Sequence, residues 1–132
     1  MTTIYGDQDS SNLNDELYGT SDADTIYGGA GNDSLDLGNG TSSNYAEGGT
    51  GNDTISVIPA SSTTNVFYGG DGNDSITGSA GFNTIYGGEG NDSIKFTSGV
   101  STVNGGNGLD TATPMNSMTY DSSTSTLLTG VE

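Results

Sequence analysis

Five short segments of the chain place an aspartate directly after a glycine-rich turn. The segments are GGAGNDSL (28–35), GGTGNDTI (48–55), GGDGNDSI (69–76), GGEGNDSI (87–94) and GGNGLDTA (105–112). Glycine reaches backbone conformations that other residues avoid, and it leaves neighbouring carbonyl groups accessible. A hard cation such as Ca²⁺ binds about 6–8 oxygen atoms drawn from carboxylates and carbonyls. The chemistry that these residues can support is therefore the binding of a hard metal ion.

The composition excludes the common catalytic chemistries. The chain of 132 residues has no histidine and no cysteine, which rules out Ser-His-Asp and Cys-His catalysis, disulfides, and thiolate or imidazole metal sites. None of its serines lies in a G-x-S-x-G motif. Hydrolysis of glycosides by paired carboxylates needs two acids across a cleft, which a regular stack of short repeats does not offer. We therefore predict that the chain is not an enzyme.

The glycine-rich segments belong to a regular repeat. Their starts are separated by 20, 21, 18 and 18 residues, and weaker copies lie in the same frame at 19–26, 78–85 and 96–103. The unit is nine residues long, with two units in each period of 18. Two insertions, within 37–47 and 57–68, lengthen the period. Self-similarity at a fixed spacing is typical of a solenoid.

Each unit consists of a turn followed by a very short strand. Turn, strand, turn and strand at constant spacing predict a coil that stacks on its neighbours, which bury its apolar residues jointly. The predicted inward column is Leu17, Ile26, Leu35, Ala46, Ile55, Phe67, Ile76, Ile85, Ile94, Val103 and Ala112. The fold class is therefore all-β, a parallel β-solenoid of about five to six coils with two short strands per coil.

The motif GGxGxD followed by x-hydrophobic-x resembles the RTX (repeats-in-toxin) calcium-binding nonapeptide, GGxGxDxUx, in which U is a large aliphatic residue. The resemblance runs from about Asp15 to Thr113. It implies a parallel β-roll that binds Ca²⁺ between successive turns. It also implies an exported or cell-surface protein that leaves the cell by type I secretion, which reads a C-terminal signal.

The resemblance assigns calcium ligands to both parts of the turn. The implied side-chain ligands are Asp33, Asp53, Asp74, Asp92 and Asp110. The implied carbonyl ligands are Gly28, Gly29, Ala30, Gly31, Gly48, Gly49, Thr50, Gly51, Gly69, Gly70, Asp71, Gly72, Gly87, Gly88, Glu89, Gly90, Gly105, Gly106, Asn107 and Gly108. Asp15 and Asp24 stay open as further candidates.

The two sides of the coil differ in charge. On one side, the residue two before each core aliphatic is always an aspartate: Asp15, Asp33, Asp53, Asp74, Asp92 and Asp110. On the other side, the same position holds Asp24, Asn44, Asn65, Asn83 and Ser101. We expect one column of about four calcium ions on the first side. On the second side we expect a neutral ladder of asparagine and backbone hydrogen bonds.

Seventeen acidic residues face one basic residue, for a formal net charge of −16. Such a chain repels nucleic acid and anionic membranes, so neither is an expected partner, and no membrane insertion is expected. Residues 1–5 have no basic n-region, so they do not resemble a Sec signal. Three alternatives follow: the protein stays in the cytoplasm, it leaves by a route that does not read the N-terminus, or it is a piece of a larger chain. The family resemblance implies the second, export by a route other than Sec. Without Ca²⁺ the stacked aspartates would repel one another, so we expect the chain to fold only when the ion is bound.

The remaining segments suggest secondary roles. We expect residues 1–16 to form a lead-in coil, 17–113 the calcium-binding roll, and 114–132 a C-terminal β-hairpin that caps the roll or resembles a secretion signal. Tyr27, Tyr68 and Tyr86 face outward with Glu47 interrupting them, which predicts a stacked ladder in preference to a face for sugars or protein. The irregular series Ala30, Thr50, Asp71, Glu89 and Asn107 argues against ice binding.

Two functions follow from these observations. In the first, the chain is a non-catalytic, calcium-dependent module of an exported or surface protein, where its partners are calcium ions and other domains of a parent protein. In the second, it is a self-assembling structural subunit of an extracellular filament, surface layer or virion. The second would rest on end-to-end association of its coils.

Overall fold

The structure, a computed structural model, describes residues 1–7, 13–57, 63–78, 81–96, 102–114 and 128–129. Two parallel sheets run the length of this part of the chain. The seven-stranded sheet has the order β1 (Thr2–Tyr5), β3 (Asp24–Ala30), β5 (Tyr45–Thr50), β7 (Thr63–Asp71), β9 (Gly81–Glu89), β11 (Thr102–Asn107) and β13 (Leu128–Thr129). The six-stranded sheet has the order β2 (Glu16–Tyr18), β4 (Ser34–Asp36), β6 (Thr54–Ser56), β8 (Ser75–Gly78), β10 (Ser93–Phe96) and β12 (Thr111–Pro114).

The strands alternate between the two sheets along the chain, so each pair of consecutive strands makes one coil of a solenoid. Every strand pairs in parallel with the strand of the next coil, in the register that the repeat predicts: Ile26 lies opposite Ala46, and Ile76 opposite Ile94. This confirms the predicted all-β β-solenoid. The described residues contain no helix, and therefore none that is long and apolar enough to cross a membrane.

The core is a thin double column between the sheets. Nine of the predicted core residues are fully buried: Ile26, Leu35, Ala46, Ile55, Phe67, Ile76, Ile85, Ile94 and Val103. Leu17 and Ala112 are partly buried, because they lie towards the ends of the stack. Leu37, Val57 and Phe96 also belong to the core, although the predicted column does not contain them. Each follows a core aliphatic by two residues, so the strand alternation points it inward as well.

Strand pairing begins N-terminal to the first glycine-rich turn. Ile4 of β1 lies opposite Ile26 and packs against the core, so the N-terminal segment forms the first coil together with β2. At the other end, Leu128 of β13 lies opposite Val103 of β11 in a parallel pair. The rest of the predicted C-terminal hairpin lies outside the described residues.

The glycines are required by the close approach of successive coils. Gly70 has φ +122°, and a Cβ atom added to it would collide with the carbonyl oxygen of Gly49 in the preceding coil. Such a φ value is essentially restricted to glycine. The bare turns that make carbonyls available are therefore also the turns that let the coils stack.

Candidate metal centre

A column of five aspartates lies along one side of the solenoid. Each aspartate immediately precedes a strand of the six-stranded sheet, and each is at most 2% exposed. The parallel pairing fixes their register, because the residue after each aspartate donates its N–H to the carbonyl oxygen of the aspartate one coil earlier. Ser75, for example, donates to Asp53 at 2.8 Å. The column consists of Asp33, Asp53, Asp74, Asp92 and Asp110.

One oxygen of each carboxylate links two coils. The backbone N–H of Asp33 donates to Oδ1 of Asp53 at 2.8 Å, and that of Asp53 donates to Oδ1 of Asp74 at 2.7 Å. In the same way, the N–H of Asp74 donates to Oδ1 of Asp92 at 2.8 Å, and the N–H of Asp92 donates to Oδ1 of Asp110 at 2.9 Å. Every carboxylate in the column is thereby held in one orientation by the coil before it.

The other oxygen, Oδ2, is buried in all five aspartates and has no hydrogen-bond partner in the described part of the chain. A buried charged oxygen without a partner is strongly unfavourable. In the first four aspartates it lies beside the first glycine of its own turn and near the carbonyl oxygen of the first glycine of the next turn. At Gly69, for example, an added Cβ would meet both Oδ2 of Asp74 and the carbonyl of Gly87. A partly open cradle of oxygens therefore lies between successive turns.

These residues fit a hard cation. A carboxylate oxygen from one coil and a carbonyl oxygen from the next are the ligand types that Ca²⁺ prefers. The first glycine must lack a Cβ, since that atom would fill the cradle at Gly28, Gly48, Gly69 and Gly87 alike. No group of three or more acidic side chains converges among the described residues. A metal ion between two turns would therefore need backbone carbonyls as ligands, in addition to the carboxylate that each turn provides.

Burial makes four of the column carboxylates resist ionisation. It raises the pKa of Asp33, Asp53 and Asp92, and it raises the pKa of Asp74 to about 6. The N–H bond from the preceding coil opposes the shift, while neighbouring aspartates add to it. A cation in the cradle would reverse this preference, because an adjacent positive charge favours the ionised form.

Asp15 and Asp24 differ from the column, because their oxygens have donors. Oδ2 of Asp15 accepts the backbone N–H of Asp7 at 2.6 Å. Oδ2 of Asp24 accepts both the backbone N–H of Thr20, at 2.6 Å, and its hydroxyl, at 3.0 Å. Neither aspartate presents an orphaned oxygen.

The opposite side carries the neutral ladder that the sequence predicts. The N–H of Asp24 donates to Oδ1 of Asn44 at 2.9 Å, and that of Asn44 to Oδ1 of Asn65 at 3.0 Å. The side-chain amide of Asn65 then donates to Oδ1 of Asn83 at 3.1 Å. Ser101, the last member of that column, lies outside the described residues. Coils on this side are joined without a buried net charge beyond Asp24.

A second asparagine ladder runs beside the aspartates. The N–H of Asn52 donates to Oδ1 of Asn32, and that of Asn73 to Oδ1 of Asn52, both at 2.7 Å. These side chains bind the coil that follows, whereas each aspartate Oδ1 binds the coil before it. Asparagine tolerates left-handed backbone and hydrogen-bonds locally, so the sequence by itself indicates only a turn role for these residues. The asparagine that recurs directly before the aspartate was the available signal.

The outward tyrosines form a continuous ladder of ring contacts. Tyr5, Tyr27, Tyr45, Tyr68 and Tyr86 have successive ring centroids 5.3, 5.7, 5.7 and 4.7 Å apart. Tyr45 replaces the ring that is missing at Glu47, and its hydroxyl donates to Glu47 at 2.7 Å. The sequence predicts a ladder of Tyr27, Tyr68 and Tyr86 that is interrupted at Glu47. The structure adds Tyr5 and Tyr45 to that ladder and closes the interruption. The Tyr5–Tyr27 and Tyr68–Tyr86 pairs are stacked, whereas the two contacts that Tyr45 makes are tilted by 51° and 44°.

Comparison with known proteins agrees with this geometry. Neither the curated proteins nor the solved structures give a match. The family model for the RTX calcium-binding nonapeptide repeat (4 copies) matches residues 9–43, 40–56 and 68–103, more than half of the chain. On that match, and with turns that carry GGxGxD in register along one side, the chain belongs to the RTX calcium-binding nonapeptide repeat family.

Proposed function

We propose that this chain is a non-catalytic module of an exported or cell-surface protein that folds when it binds about four Ca²⁺ ions in one column. The observation that carries the proposal is the orphaned Oδ2 of the column aspartates, which in Asp33, Asp53, Asp74 and Asp92 lies near a glycine carbonyl of the next coil. A buried carboxylate oxygen without a partner destabilises the fold, and a cation bound beside it would remove that cost.

Each ion is assigned to one step between coils. Asp33 and the carbonyl of Gly48 form the first such step, and Asp53 and the carbonyl of Gly69 form the second. The third and fourth steps pair Asp74 with Gly87 and Asp92 with Gly105. Further carbonyls of the same turns complete the ligand sets. The bound ion would supply the positive charge that neutralises the carboxylate and joins two coils. Asp110 is last in the column, and no ion is assigned to it as the first ligand of a step.

The surface charge supports a module whose partners are cations. With a formal net charge of −16, the chain keeps a large acidic excess even after the column is neutralised. A strongly acidic surface promotes solubility and disfavours association with nucleic acid or anionic membranes. Export by a type I route is part of this proposal.

Replacing a column aspartate should remove one ion. In Asp74→Asn the amide keeps an oxygen for the N–H of Asp53, but the site loses its anionic ligand. We expect calorimetric titration to count one Ca²⁺ fewer, and the calcium midpoint for folding to rise at least severalfold.

The matched control is Asp71→Asn, which removes the same charge three residues earlier. Asp71 is exposed on the turn. This variant should therefore bind the full number of ions. An equal number of ions in both variants would contradict the assignment of Asp74 as a ligand.

The metal-free protein should become more ordered as the pH falls. The pKa of Asp74 in the roll is about 6, above its ordinary value of 3.8, so the fold favours the protonated form. Stability from this group is fully present below pH 4 and is lost as the pH rises through 6. Far-UV circular dichroism of metal-stripped protein should show more strand signal at pH 5.0 than at pH 7.5. A signal that is equal at the two pH values, or weaker at pH 5.0, would contradict this expectation.

A further inference from the structure

The first step of the solenoid is built differently from the others. Gly6 donates its N–H to the carbonyl of Tyr27 at 2.8 Å, which places Asp7 level with Gly29, the second glycine of the next turn. Asp7 has φ +54°, and every other described residue with a positive φ is a glycine. Aspartate is one of the few residues that tolerate this conformation, because its short side chain can bond locally.

The carboxylate of Asp7 takes the place of a backbone carbonyl. At Gly49, Gly70, Gly88 and Gly106, an added Cβ would meet the carbonyl oxygen of the second glycine in the preceding coil. At Gly29 it would instead meet Oδ2 of Asp7. This oxygen accepts the N–H of Ala30 at 2.8 Å. A side-chain oxygen of Asp7 therefore contacts the second coil at the place where, between later coils, a backbone carbonyl oxygen makes the contact.

The backbone N–H of Asp7 is directed at the carboxylate oxygen that has no partner in the later turns. It donates to Oδ2 of Asp15 at 2.6 Å, the oxygen that is orphaned in all five later aspartates. Gly6 otherwise reproduces the cradle, since an added Cβ would meet both the carbonyl of Gly28 and Oδ2 of Asp15. An N–H directed at this oxygen satisfies it and presents positive hydrogen where a cation would bind.

We propose that Asp7 is a metal-free N-terminal cap of the calcium column. It closes the step between the first and second coils with two hydrogen bonds, so the column begins at Asp33. Asp15 then positions the cap and is not a calcium ligand, even though it continues the aspartate column in the sequence. The inference rests on the calcium column proposed above, and it places the N-terminal end of that column at Asp33.

The number of bound ions tests the cap. Native mass spectrometry of the full chain in Ca²⁺ should give the same number for Asp15→Asn as for the unmodified protein, and one fewer for Asp33→Asn. One ion fewer in Asp15→Asn would overturn the cap while leaving the column intact. A full number in Asp33→Asn would overturn the column itself, and the cap with it.

A second measurement tests the side chain of Asp7. In calcium-saturated protein, Asp7→Ala should speed amide hydrogen exchange at Ala30 by roughly tenfold, because a charge-assisted hydrogen bond is lost. Asp7→Asn retains an acceptor oxygen and tolerance of positive φ, so exchange should stay within about twofold. Unchanged exchange in Asp7→Ala would overturn the cap.

Discussion

Removal of calcium at pH 7.5 is expected to abolish the strand signal of this protein in far-UV circular dichroism. Neighbouring strands lie about 4.8 Å apart. Two ionised carboxylates one coil apart then repel by about 3 kcal/mol at an effective dielectric constant of about 20. The column contains four such neighbouring pairs, from Asp33 to Asp110. Their summed repulsion is comparable with the whole unfolding free energy of a small protein, about 5–15 kcal/mol.

The measurement is a titration with EGTA followed by addition of excess Ca²⁺, which should restore the spectrum. The control is Mg²⁺ at the same concentration. Because Mg²⁺ is smaller and gives up its water reluctantly, it should restore far less of the signal. A strand spectrum that persists in excess chelator at pH 7.5 would sink the proposal that folding depends on the metal column.

Replacing a stacking glycine is the second change with a large expected effect. Gly70→Ala puts a Cβ against the carbonyl of Gly49 and forces alanine to φ +122°. The backbone strain and the overpacking together should cost about 3 kcal/mol or more. In saturating Ca²⁺, the urea midpoint should fall by about 1.5 M.

Gly78→Ala is the matched control for this substitution. Gly78 is also buried in a strand, but it is not among the glycines with positive φ. Its added Cβ would lie 3.2 Å from the end of the Ile85 side chain and 3.3 Å from Nδ2 of Asn83. Side-chain ends can shift, so the expected loss is about 1 kcal/mol or less. Equal losses in the two variants would show that the stacked carbonyl of Gly49 is not the cause.

Much of the fold was readable because a solenoid repeats its environment. The nine-residue period assigns each residue a place in the coil, and stacking in register places equivalent residues one above another. The core column, the two parallel sheets and the difference between the aspartate and asparagine sides all follow from that period. Leu37, Val57 and Phe96 were missed in the core because each stands one strand alternation beyond the repeated aliphatic position.

The sequence alone determined that aspartates line one side of a stacked coil, because position within the repeat is a local property of the chain. Only the tertiary structure decided which of them lack a partner. Asp15 and Asp33 hold the same place in the repeat, yet Oδ2 of one accepts an N–H from Asp7 while Oδ2 of the other is orphaned. Likewise, Tyr45 completes the ring ladder from a different position in its strand. These partners come from irregular turns and neighbouring coils, and periodicity carries no information about contacts that break the period.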